Sequence, residues 1–581
     1  MQQSHVIGLL QRGVALVHQF RQIDRHLFFA HFQSNRWNLF IAAGLLGACL
    51  GLTFSRLNPA ILAWIVPGAL LALTWRLPRS QAFRVGVIFG VVHYFVSLSW
   101  LLNMPYPFGA WIGWSCISLY LACYPAIWIC ACIFMLPSFQ HGQQKSSLSR
   151  PLNDDAFFCD EGFLQRSGWC LFCAVAWVAL EMIRGRLLTG FPWNFLGASQ
   201  YTFLPLIQIA EFTGIYGISF LVVWCSVAGF LAVISVIRHP ARPWRWLADL
   251  ALPLGVSTIV CSIGWTQVRE HEQGRSSLRV SLIQPAFLQT LIWDDKEDSN
   301  RFNVLEKLVT SALKTQPELM IWPESAIPGL LDPVLDPETH HRVIQLLREK
   351  NVKVICASDE IVISGSNPET KKTEYDVYNS SYLIDSESGL SDRTYRKQRL
   401  VPFGEYVPLN NVLPFLGWFT PVQYGFTAGV SPVEFEISDL GLKTSVLLCY
   451  EDNFPHGVRS HVGPETDFLI NLTNDGWFGE SAAHWQHAAN AVFRTVENRV
   501  PLVRCTNNGL TCWISAAGRL HSVFSSVPDR IYDRGFYTAD LPLLSKKDGA
   551  LTSFYNRHGD VFGWSCLLGV SVLLFGKRSN Q

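Results

Sequence analysis

Three short segments of this sequence stand out for their reactive side chains: MIWPES at 320–325, RKQRLVPFGEYVP at 396–408 and VLLCYED at 446–452. They supply a carboxylate (Glu324), an ammonium (Lys397) and a thiol (Cys449), with a second carboxylate at Glu405. A thiol titrates near about 8.5 and attacks as thiolate, so it needs a base or a positive neighbour. Glu324 can take the proton, provided burial raises its own pKa toward neutrality. Lys397 can stabilise the thiolate and then the oxyanion of a tetrahedral intermediate. Together the three suit acyl transfer through a thioester. Taken singly, each has a plainer reading: a cysteine after VLL is a packing residue, and Glu324 and Lys397 are helix-cap or surface charges. Residue types alone leave both readings open.

The elements that must position these groups read as strands alternating with helices. Runs 278–283, 319–322, 352–356, 445–448 and 468–472 are short, apolar and of strand type, while 300–315 and 337–350 have helical character. That alternation predicts a layered α/β domain, and strand ends are where such domains hold working groups.

The rest of the chain has a different solvent. Only 16% of the 581 residues are charged, with 38 Phe and 21 Trp, against about 25% charge in soluble domains. Apolar stretches recur at 37–54, 58–75, 85–102, 109–136, 168–184, 213–237 and 247–266, with a shorter one at 561–575. A crossing takes about 20 residues, so the expectation is a helical bundle of about eight spans. The predicted division is 1–266 as the first seven spans, 267–556 as an outer catalytic domain, and 557–581 as the last span and its tail. Arginine and lysine crowd the segment before the first span, the second, fourth and sixth connections, and the C-terminal tail. By the positive-inside rule both termini face the cytoplasm and the 267–556 domain faces the opposite side. Glu181 and Arg184 are the clear intramembrane charges, and they keep a transporter as a competing reading. A net charge of +1 with no basic stripe argues against nucleic acid. The 15 cysteines lack zinc spacing and fall mostly in apolar runs, which is no disulfide framework. Cys505 and Cys512 lie in a strand-like stretch and are expected unpaired. His484 and His487 share i, i+3 spacing without a third ligand, so they read as structural, and no metal is expected. The polar loop 138–167 is uninformative.

WPES at 322–325, KQRLVPFGEYVP at 397–408 and CYE at 449–451 resemble the nitrilase superfamily. More closely they resemble its membrane branch, the apolipoprotein N-acyltransferases. The likeness extends through GFPWNFLGASQ at 190–200, GIYGISFLV at 214–222, NLTNDGWFG at 471–479 and HWQHAANAVFRTVENRVPLVRCTNNG at 484–509. It implies a nitrilase-like sandwich outside the membrane, with Cys449 as nucleophile, Glu324 as general base and Lys397 as the oxyanion's cation. It further implies that Glu405 orients the lysine or assists proton transfer, and that Tyr450 and Glu451 flank the nucleophile. Trp293, Trp477 and Phe478 would line a lipid entrance, with Trp193 near it and Asn379 close to the site; interfacial anchoring is the plainer role for such tryptophans. The implied reaction moves the sn-1 acyl chain of a phospholipid, typically phosphatidylethanolamine, through a thioester to the N-terminal amine of a diacylglyceryl apolipoprotein. It requires no cofactor, and the expected setting is the bacterial inner membrane with a periplasmic catalytic domain and a monomeric enzyme. A membrane-anchored amidase that hydrolyses the thioester is the nearest alternative.

Overall fold

The computed structural model describes residues 35–136, 162–238, 243–272, 276–348, 350–366, 373–420, 425–525, 530–543 and 552–579. Most of the loop expected at 138–167 lies outside them. Its end does not: the helix Phe163–Arg184 starts five residues before the expected 168.

Each apolar stretch carries a helix. Pro107–Met135, Phe163–Arg184, Ile215–Ile237, Trp244–His271 and Val561–Ser579 are long and apolar enough to cross a membrane. Arg36–Leu52 is shorter, and Arg79–Ser97 begins with polar residues. The 58–75 stretch is not one continuous helix. It divides into the 3-10 turn Ala60–Trp64 and the helix Val66–Thr74, where Pro67 sits in the first turn and supplies no backbone donor. Small residues let helices approach closely: a Cβ on Gly86 or Gly90 would lie 2.6 Å from the Cα of Ala126 or Ala122 on the neighbouring helix.

The polar region forms two six-stranded sheets. In chain order the strands are β1 (Ser276–Gln284), β2 (Leu319–Ile321), β3 (Lys353–Ser366), β4 (Thr373–Asp385), β5 (Gly389–Arg396), β6 (Glu434–Ile437), β7 (Leu442–Leu448), β8 (Phe468–Thr473), β9 (Leu502–Thr506), β10 (Cys512–Ile514), β11 (Leu520–His521) and β12 (Gly535–Leu543). The first sheet runs β12-β1-β2-β3-β4-β5 and the second β11-β10-β9-β8-β7-β6. The strands at the middle of each sheet pair in parallel and the outer ones antiparallel.

Period-two alternation builds the layers. Val446 and Leu448 on β7, with Ile470 and Leu472 on β8, meet Leu282, Ile321 and Ile355 of the other sheet in a core between the two. The far face of the first sheet (Met320, Val354) packs on helices Asp298–Leu313 and Pro337–Leu347. The far face of the second (Leu447, Leu469) packs on helix Ala483–Asn498, and that core runs on without a break into the transmembrane bundle. Helix Ala483–Asn498 therefore has protein on both sides, and every residue of it except Trp485 is buried.

Candidate active site

All three reactive groups follow strand ends. Glu324 comes just after β2, Lys397 directly follows β5, and Cys449 directly follows β7. Cys449 itself adopts a left-handed φ of 50°, a strain of order 1–3 kcal/mol for a non-glycine residue. It turns the chain from β7 into the 3-10 turn Cys449–Asn453.

The side chains converge. Glu324 Oε1 accepts from Asn379 Nδ2 at 2.7 Å, and Glu324 Oε2 accepts from the Asn474 backbone N–H at 3.0 Å. The Lys397 ammonium is 3.7 Å from Glu324 and donates to Glu405 at 2.5 Å. Glu405 is held in turn by the Val401 N–H at 2.8 Å. The Cys449 thiol is within hydrogen-bonding reach of both Glu324 and Thr473. The Lys397 side chain is fully buried, whereas Glu324 and Glu405 retain a little exposure and Cys449 is half-buried.

Two carboxylates face one ammonium here, and the proton affinities follow from that. Burial raises Glu324, Lys397 opposes the rise, and Glu405 adds to it. Burial would lower Lys397, but Glu405 and Glu324 more than offset it and keep the amine protonated. Burial and the Glu324 charge hold the Cys449 thiol well above its ordinary value, against the pull of Lys397. The resting cysteine is thus a thiol, with the Glu324 carboxyl within reach of its proton.

Glu451 acts as a clamp behind this cluster. Its buried carboxylate accepts from the backbone N–H of Leu448, Gln398 and Arg399 and from the Tyr395 hydroxyl, at 2.7–3.1 Å. It joins the end of β7 to the end of β5, and so sets Cys449 against Lys397. The Cys449 carbonyl points the other way and accepts from Asn471 Nδ2 at 3.1 Å and His487 Nε2 at 3.2 Å. His487 also meets Asp452 at 2.7 Å and Asp475 at 2.9 Å, and Arg504 pairs with the same two aspartates at 2.9 and 2.7 Å.

The aromatic residues separate into two places. Trp293 is exposed and its ring meets that of Trp477, centroids 5.1 Å apart. Trp193 is buried at the joint between bundle and outer domain, stacked on Tyr450 at 6.3 Å. Phe478 reaches the same joint through Trp100. The indole N–H groups of Trp193 and Trp100 both donate to Gln486 Oε1, at 2.7 and 3.0 Å. Gln486 Nε2 donates to the carbonyls of Phe54 and Ser97 at 2.8 and 2.9 Å. One buried amide thus ties helix Ala483–Asn498 to the first, third and fifth connections of the bundle.

Several of these residues were not singled out from sequence: Asn474, Thr473, Asn471, Gln486 and the Asp452–Asp475–Arg504 group. The stretches 471–479 and 484–509 already carried the family resemblance, and that was the one signal available for most of them. His487, read as structural, does hold structure, but as a charged group against the nucleophile's backbone. Cys505 and Cys512 are free and buried, with Cys505 Sγ near the carbonyls of Ile283 and Ile321.

Two packed sheets flanked by helices, with a Glu–Lys–Cys cluster at their strand ends, define an enzyme of nitrilase type attached to a bundle of apolar helices. Known proteins agree. Residues 46–228 match the family model for the apolipoprotein N-acyltransferase N-terminal domain, and residues 279–527 that for carbon-nitrogen hydrolases. An apolipoprotein N-acyltransferase of Geobacter metallireducens is 31% identical over 93% of this chain and 96% of its own. One from Brucella melitensis is 30% identical over 84% and 87%. Among solved structures, an amidase of the nitrilase superfamily from Nesterenkonia is 16% identical with a TM-score of 0.33, over 46% of this chain and 92% of its own. The chain belongs to the apolipoprotein N-acyltransferase family, within the nitrilase superfamily.

Proposed function

We propose that the protein completes lipoprotein maturation by a two-step acyl transfer through Cys449. The Cys449 sulfur attacks the sn-1 ester carbonyl of a phospholipid while Glu324 takes the thiol proton. Lys397 stabilises the oxyanion, the carbon–oxygen bond breaks, and Glu324 returns the proton to the departing lysophospholipid alcohol. The α-amine of a diacylglyceryl cysteine then attacks the thioester. Glu324 accepts a proton from the amine and returns it to the leaving thiolate, so the enzyme emerges unchanged. The convergence of Glu324, Lys397 and Cys449 in one cluster carries this reading. Phosphatidylethanolamine is the proposed donor. A site at the bilayer surface spares each acyl chain a transfer into water, which costs about 0.8 kcal/mol per CH2.

The proposed setting is the bacterial inner membrane, with the catalytic domain periplasmic and both termini cytoplasmic. Two observations support it: the first, third and fifth connections touch the outer domain, and arginines crowd the second, fourth and sixth. The proposed units are 1–266, 267–556 and 557–581, with helix Pro243–His271 carrying the seventh span slightly past its boundary. A monomeric enzyme is proposed.

The test is mass spectrometry of the purified protein after incubation with phospholipid. An acyl adduct on Cys449 is expected, absent in Cys449→Ala and Cys449→Ser, with N-acylation of a model lipoprotein falling at least about a thousandfold. An adduct on another cysteine overturns the assignment. Release of free fatty acid in place of transfer to the amine would favour the hydrolytic alternative.

A further inference from the structure

A cleft of about 330 Å³ opens beside the nucleophile, lined by Gln398, Arg399, Tyr406, Tyr450 and Phe454 of the outer domain and by Thr189 of the bundle's fifth connection. Its volume is that of a small-molecule site. It starts where the reactive cluster ends: Gln398 and Arg399 directly follow Lys397, and Tyr450 directly follows Cys449. Glu451 fixes this wall by holding the N–H groups of Gln398 and Arg399.

Arg399 is the one charged residue among the described residues lining the cleft. Its guanidinium lies 5.4 Å from the Phe454 ring centroid and donates to His456 Nε2 at 3.3 Å, and among the described residues it forms no ion pair. Arg399 is exposed, and the concave surface it lines has no carboxylate among its described lining residues and also carries Gln398 and two tyrosines. A planar, permanently charged fork of this kind suits a phosphate, which it can bind through two parallel hydrogen bonds. Of the two lipid substrates in the proposed reaction, only the donor has a phosphate. That phosphate sits on the same glycerol as the ester that must reach Cys449, so its site has to adjoin the sulfur. Thr189 brings the bundle's edge into the cleft.

We infer that this cleft is the donor head-group subsite, with Arg399 as the contact for the phosphodiester. The inference rests on the thioester reading above. Arg399 takes no part in proton transfer; it holds the glycerophosphate so that the sn-1 carbonyl meets the thiol.

The test compares two acyl donors on the full-length protein in detergent, following adduct formation on Cys449. Phosphatidylethanolamine has the phosphate, and p-nitrophenyl palmitate lacks it. In Arg399→Gln the phospholipid concentration for half-maximal acylation should rise about tenfold or more. The rate with p-nitrophenyl palmitate should match wild type, and Arg399→Lys should fall between the two. Transfer from a preloaded acyl-enzyme to a lipopeptide should be unchanged in both variants. Equal losses with both donors, or no loss with phospholipid, overturn the subsite while leaving the thioester reading intact. Wild-type protein that forms no adduct with either donor overturns both.

Discussion

Cys449 lies between two buried groups of charge that differ in one respect. Its thiol faces Glu324, which shares the single ammonium of Lys397 with a second carboxylate, Glu405. Its carbonyl faces a second group in which Asp452 and Asp475 are matched by Arg504 and His487. In the matched group the protons are locked. Burial and Arg504 pull His487 down, but Asp452 and Asp475 push it up to about 9. Burial would raise Asp475, but His487 and Arg504 hold it well below the usual carboxylate range. In the unmatched group, both Glu324 and the thiol are raised, and one proton can pass between them. Charge balance thus distinguishes the side that holds the Cys449 backbone in place from the side proposed to react.

Changing that balance should separate the two sides. The largest effect is expected from Lys397→Met, which leaves two buried carboxylates without a partner. Cys449 acylation should fall at least about a hundredfold with the oxyanion's cation gone. Glu324 loses the charge that lowers its pKa, so the acid limb of the pH–rate profile should move upward; near-normal acylation would rule out the lysine's role. Glu405→Gln should cost less, about tenfold, because the ammonium stays beside Glu324. Here the acid limb should move downward, since Glu405 is one of the groups raising Glu324. A limb that stays put would mean the two carboxylates are not coupled.

The smallest rate effect and the clearest stability effect belong to the matched group. His487 is held at about 9 in the folded protein against an ordinary 6.5. Its contribution is therefore fully present below about 6.5 and lost as pH rises through about 9, on the order of 3 kcal/mol in all. Thermal inactivation of the wild type should become faster across that window. His487→Gln should be less stable at pH 6 and show a flatter dependence above it; an unchanged slope would remove the imidazolium from the account.

How far the sequence foretold this depends on whether a partner is local. Glu324 and Cys449 stood out because each follows an apolar run, and those runs are strands β2 and β7; Lys397 follows the polar strand β5 and was marked by its motif instead. Glu405 came with Lys397, eight residues away. The matched group was not legible, because Arg504 reaches its aspartates across 52 and 29 positions and nothing local pairs them. Gln486 was hidden for a different reason: half its partners are backbone carbonyls, which no side-chain pattern marks. Trp193 was named through the resemblance, but its depth was not legible, since an indole that anchors at an interface and one that bridges two domains look alike in a sequence. The 58–75 stretch was apolar enough for a single span, but hydropathy does not register where a proline-bearing turn begins a new helix.

The four hydrogen bonds of Gln486 bear on any attempt to prepare the outer domain alone. Cut away from the bundle, helix Ala483–Asn498 would present Val492 and Val496 to solvent on a face evolved to stay dry. Trp193 and its ring contact with Tyr450 would leave with the bundle, taking away a wall of the turn that carries the nucleophile. A truncated protein should therefore be sticky and inert even with its three reactive side chains intact. In this molecule the bundle is part of the catalyst's skeleton as well as its tether to the lipid.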